Sequence, residues 1–133
     1  MRYMLLLYER VGRPEPPTVD GRTAVEAHSA FVEECLERGA FVAADALLPV
    51  ETATSVRVEG GETLVTDGPF AETREWLGGY YLLECEDLDS ALRLAAKCPI
   101  AEHGTVEVRP IDHEVASQVS RRREAFERRA ADR

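Results

Sequence analysis

Residues Arg2 to Tyr8 read RYMLLLY, a run of large apolar residues with no alternation of polar and apolar positions. In so short a run that pattern predicts a strand buried on both faces. Glu9 to Val19 is a loop, because Pro14, Pro16 and Pro17 exclude helix and central strand alike. The period then changes. Ala24, Val25, His28, Phe31, Val32, Cys35 and Leu36 recur at helical spacing, which predicts a helix capped by Asp20 or Thr23, ending near Arg38 and stopped by Gly39. His28 lies on its apolar stripe. Phe41 to Leu48 reads as a second strand ended by Pro49, and Ser55–Glu59 with Glu62–Thr66 as a hairpin around Gly60-Gly61. Tyr80 to Cys85 is another strand apolar on both faces. Asp87 can cap a helix through Lys97 that carries Leu88, Ala91, Leu92, Ala95 and Ala96 on one side, and Thr105 to Arg109 alternates as a last strand. Val115, Val119 and Phe126 make a thin stripe on a charged C-terminal helix.

The order β-α-β-hairpin-β-α-β predicts an α+β chain: a ferredoxin-like split βαβ with an inserted hairpin and a C-terminal helix. Residues 1–112 form the domain and residues 113–133 a charged helical tail. Two helices cover one face of such a sheet and leave the other bare. Met4–Tyr8 and Tyr80–Leu83 put large apolar residues on both faces, and 133 residues hold no spare element to cover the second. A homodimer stacking sheet on sheet is the economical solution.

Composition narrows the function classes. A 44% hydrophobic content suffices for one globular core. The net charge of −9 is uneven: Ser120 to Arg133 carries six arginines against Glu124, Glu127 and Asp132, so the negative charge sits in the body. Such a body repels nucleic acid. No apolar run approaches a membrane span and no signal peptide precedes Met1-Arg2-Tyr3, so the expected compartment is the cytoplasm. Cys35, Cys85 and Cys98 lie far apart and read as reduced, buried thiols. His28, His103 and His113 lack the spacing of a zinc site, and no glycine pair sits in a phosphate-loop context, so neither metal nor cofactor is expected.

One stretch is denser in signals than the rest. Val65 to Glu84 reads VTDGPFAETREWLGGYYLLE, with turn residues at Asp67-Gly68-Pro69 and at Gly78-Gly79. With its continuation through CEDLDSALRLAAKCP and the later GTVEVRPI, it closely resembles the DGPF branch of the YCII-related proteins. RYMLLLY and the His28 helix fit the same family. The resemblance implies a ferredoxin-like domain dimerising into an α/β-barrel-like sandwich. YCII-like relatives include small-molecule enzymes held to use a His–Asp pair, and some DGPF proteins are associated with extracytoplasmic-function sigma factors. The tail after Pro110 falls outside the shared pattern.

His28 and Asp67 are the candidate catalytic residues, since an imidazole oriented by a carboxylate is a competent general base near neutral pH. The resemblance puts His28 where YCII-like proteins carry their histidine. The blander alternative makes His28 a half-buried helix residue and Asp67 the head of an Asx-turn. Arg74, Glu72 and Trp76 are candidates for a pocket mouth, the guanidinium holding a substrate carboxylate and the indole covering its apolar part. Tyr8 either projects into the same cleft or faces a dimer partner. Two functions follow: a cofactor-free enzyme of lyase or isomerase type, or a non-catalytic dimeric module that senses a ligand or acts on a sigma factor.

Overall fold

The computed structural model describes residues 1–10, 23–71 and 73–133. Among the described residues six strands and three α-helices follow in the order β1 (Arg2–Arg10), α1 (Ala24–Glu37), β2 (Phe41–Ala46), β3 (Thr54–Glu59), β4 (Glu62–Asp67), β5 (Glu75–Glu84), α2 (Leu88–Ala95), β6 (Thr105–Pro110) and α3 (His113–Ala131). Most of the Glu9–Val19 loop expected from the prolines, and Asp20, lie outside the described residues. β2, β5, β1 and β6 form one antiparallel sheet in that order, while β3 and β4 form a separate hairpin. The arrangement is α+β and compatible with a ferredoxin-like fold.

Local chemistry explains the element ends. Thr23, the alternative to Asp20, caps α1: its hydroxyl accepts from Glu26 N and the Glu26 carboxylate accepts from Thr23 N, both at 3.2 Å. Gly39, at φ 68°, turns the chain out of the helix where a side chain would strain. Asp87 caps α2 by accepting from Ser90 N at 2.8 Å.

The core lies between one face of the sheet and the helices α1 and α2. Tyr3, Leu5 and Leu7 of β1 and Tyr81 and Leu83 of β5 are buried there against Phe31 and Cys35 of α1 and Ala91, Leu94 and Ala95 of α2. Cys35, Cys85 and Cys98 are buried and unpaired, and burial pushes the Cys35 and Cys98 thiols up to about 11. The opposite face carries Met4, Leu6, Tyr80 and Leu82, cross-strand neighbours in the register Met4↔Leu82 and Leu6↔Tyr80. These four are only half-buried.

Two expectations change. The third core strand begins at Glu75, five residues before the apolar run, so Trp76 and Gly78-Gly79 belong to β5 and not to a loop. Opposite them Leu7 pairs with Gly79 and Tyr8 with Leu77, which leaves Gly78 as the extra residue of a β-bulge. The apolar stripe of α2 is also rotated: Leu94 is buried, whereas Leu88 and Leu92 stay nearly half exposed.

Candidate functional site

A cavity of about 720 Å³ opens where the start of α1 faces the ends of β1 and β2 and the beginning of β5. Its walls are mostly apolar, with Leu7, Val32, Ala44, Leu47 and Ile100 among them. The polar residues of its lining include His28, His103 and Tyr81, with Glu9 and Glu33 at its edges. Apolar walls with a few convergent polar groups are the usual composition of a small-molecule site.

The fold places these groups by register. His28 lies on the inward side of α1 one turn before Phe31, and Tyr81 occupies an inward position of β5. Phe31 meets the Tyr81 ring edge-on at 4.9 Å, which fixes the phenol, and the phenol oxygen lies 2.7 Å from His28 Nδ1. The two rings stack at 6.1 Å. Among the described residues the Tyr81 hydroxyl has no other hydrogen-bond partner. Donating its proton to Nδ1 satisfies both groups and leaves Nε2–H as the nitrogen available to a ligand.

Electrostatics keep this pair neutral. Burial, and then the nearby charge of His103, lowers the His28 pKa from its ordinary 6.5. Burial raises the Tyr81 hydroxyl well above the usual phenol range, with smaller contributions from Cys98 and Cys35. On the opposite face of the sheet the Tyr80 hydroxyl donates to Asp45 Oδ2 at 2.6 Å, which takes the tyrosine further from ionisation. Gly78 and Gly79 give the site its floor. A Cβ on Gly79 would come within 2.8 Å of the Asp45 carbonyl, so only glycine lets β2 and β5 approach there, and the Glu9 carboxylate lies 3.3 Å from where a Gly78 Cβ would be.

The other candidates fall elsewhere within the chain. Asp67 ends β4, exposed, opposite Thr54 at the root of the hairpin, and does not line the cavity. Arg74 is exposed just before β5. Trp76 is half-buried, and its Nε1–H is buried without a partner among the described residues. Tyr8 pairs with Leu77 and lies outside the cavity lining. Glu72 lies outside the described residues. Sequence reasoning missed Tyr81 and His103. Tyr81 carried one usable signal: a tyrosine at an inward strand position needs a partner for its hydroxyl, and the inward histidine of the neighbouring helix supplies it. His103 follows a 3-10 turn over Pro99–Glu102 whose position no periodicity announces.

The YCII-related domain matches residues 1–114, which takes in every strand and both core helices. The chain belongs to the YCII-related family. A relative of this YCII-related chain, an uncharacterized protein of Rhizobium meliloti (strain 1021), is 42% identical over 85 residues, 62% of this chain and 68% of the relative. The YCII-related match ends inside the first turn of α3, so nearly all of that helix lies beyond it. Among the described residues no helix is long and apolar enough to cross a membrane, and no group of three metal-ligating side chains is assembled.

Proposed function

We propose that this YCII-related protein binds a small, largely apolar molecule in the α1–β5 cavity and that His28 transfers a proton there, as in a cofactor-free lyase or isomerase. The observation that carries the reading is the His28–Tyr81 contact on the cavity wall: a neutral imidazole, fixed at Nδ1 and desolvated, with its second nitrogen left for a ligand. With Tyr81 donating, Nε2–H is an acid toward a substrate oxygen. When the imidazole flips its tautomer and Nδ1–H donates to the phenol, Nε2 becomes a base.

Asp67 is the proposed second member of the acid/base pair. Its proposed part is to orient the imidazole; Tyr81 holds Nδ1 within the chain and Asp67 lies outside the cavity lining, so that part rests on the resemblance alone. Arg74, Trp76 and Tyr8 have weaker parts: Arg74 and Trp76 as contacts for a ligand extending toward the start of β5, Tyr8 as a group of the open sheet face. That face also supports a homodimer. Met4, Leu6 and Leu82 are half-buried apolar residues that a second copy stacked sheet on sheet would remove from water.

A thermal-shift screen of a metabolite library, read on the wild type, His28→Ala and Asp67→Asn, tests the reading. Compounds that bind the native state stabilise it. The wild type should show hits, His28→Ala should lose most of their shift, and turnover of a hit should fall at least tenfold in both variants. Hits with undiminished shift in His28→Ala would place the ligand elsewhere. Turnover untouched by Asp67→Asn would remove Asp67 from the pair. Complete absence of hits would favour the second reading, a dimeric binding module that works on a protein such as a sigma factor, for which the charged tail is the motivating feature.

A further inference from the structure

Two imidazoles from distant parts of the chain line the one cavity: His28 from α1 and His103 from the turn that follows Pro99–Glu102. Both are half-buried. The turn is well anchored. Pro99 and Ile100 are buried, and the backbone N–H groups of His103 and Gly104 both donate to the Ile100 carbonyl, at 3.2 and 2.7 Å. Gly104 passes so close to the Tyr8 carbonyl that no side chain fits there. The segment packs on α1, β1 and β6, which holds the backbone carrying His103 against the helix carrying His28.

The floor beside the two histidines is made of small residues. Tyr81 is buried on the helix-covered face, and the register sets Ala44 opposite Tyr81 and Ala46 opposite Gly79. Ala44, Ala46 and Gly79 therefore share the cavity side of β2 and β5. Small residues there leave room for a flat body, and the apolar walls suit a hydrocarbon one. The imidazoles are left to meet its polar end.

We propose that the substrate is a flat, largely apolar carbonyl compound with an acidic C–H beside the carbonyl, and that His103 is a second catalytic residue: it protonates the carbonyl oxygen while His28 removes the proton from carbon. This role for His103 rests on His28 being the proton-transfer residue. With Nδ1–H donating to the Tyr81 phenol, His28 Nε2 takes the proton from carbon. The C–H electron pair becomes the C=C bond of the enol, the carbonyl π pair moves to oxygen, and oxygen takes a proton from the His103 imidazolium. One positive charge passes from His103 to His28. In the return step His28 gives its proton to carbon, at the original or a conjugated position, and the enol O–H goes back to His103. Charge on His103 opposes charge on His28, and a pair that hands over a single charge never holds two.

Hydrogen exchange on a model ketone tests it. The probe is 2-indanone, flat and apolar with acidic C–H bonds beside one carbonyl, dissolved in heavy water. It is added to the wild type, His28→Ala, His103→Asn, His103→Gln and Ala46→Leu, each shown to be folded by its thermal melt. NMR reads both binding of the probe and loss of its α-protons. The wild type should exchange them at least roughly tenfold faster than free imidazole at matched concentration, and both His103 variants should lose roughly that factor at saturating probe with affinity little changed. Ala46→Leu should weaken binding and spare the saturated rate. A wild type no faster than imidazole, whether or not the probe binds, overturns both the substrate class and the role of His103, and the metabolite screen then decides on His28 separately. Exchange undiminished in the His103 variants, or a loss of affinity without a loss of rate, overturns His103 as the acid and leaves His28 in place. Binding unaffected by Ala46→Leu overturns the placement of the ketone on the small-residue floor. Exchange that survives His28→Ala overturns the proton-transfer reading and this role with it.

Discussion

His28 shows how position on a helix sets chemistry. It is a polar residue on the inner stripe of α1, held at 2.7 Å by a phenol that Phe31 fixes in place. Its pKa is lowered first by burial and then by His103, so removing His103 should recover only part of the shift. In an NMR titration His103→Asn should raise the His28 midpoint, yet leave it below that of an exposed histidine. A midpoint unchanged by His103→Asn would contradict the coupling. The same shift has a stability signature. Above pH 6.5 both folded and unfolded forms are neutral at this residue, and as pH falls through 6.5 the unfolded chain takes up the proton first, so this group's share of stability declines on the acid side. In Tyr81→Phe, Nδ1 loses its partner at an inward site, and the variant should be destabilised by roughly 1–3 kcal/mol, the usual cost of an unsatisfied buried polar group. Urea denaturation reads that loss.

At the scale of elements, glycines mark where backbones approach most closely. Gly104 begins the turn into β6, and a Cβ there would lie 2.2 Å from the Tyr8 carbonyl oxygen, backbone that cannot rotate away. Gly104→Ala should therefore cost at least ~2 kcal/mol and displace β6 from β1. Gly78→Ala meets the movable end of the Glu9 side chain and should cost less than half as much. Urea midpoints decide the comparison, and equal losses would mean that the clash at Gly104 relaxes freely. The same elements show what the chain discloses in advance. The strands, the hairpin and α1 were legible because apolar period, turn glycines and the Thr23–Glu26 capping box are local signals. The early start of β5 was not, because Glu75 to Gly79 has neither apolar run nor alternation and becomes strand only by pairing with Tyr8, Glu9 and Arg10 across a bulge. His28 was legible as a candidate. Its partner Tyr81 was not, since the contact joins residues 53 positions apart and depends on how α1 lies over the sheet.

For the whole molecule, the two faces of the sheet differ. Helices cover one face of the sheet, while Met4, Leu6 and Leu82 line the other and α3 carries its apolar stripe in water. Light scattering should report a dimer, and Leu6→Lys, which puts a charge into the centre of the open face, should shift it toward monomer without unfolding it. A wild-type monomer would remove the sheet-to-sheet contact from the account. The cavity belongs to the single chain and should survive that change. Its occupancy is the central claim, and ligand mapping by NMR on the isotope-labelled protein tests it most directly. A compound that stabilises the wild type but not His28→Ala should perturb the resonances of His28, Tyr81, Ile100 and His103 together. Perturbations confined to the hairpin, to α3 or to the Met4–Leu82 face would contradict it.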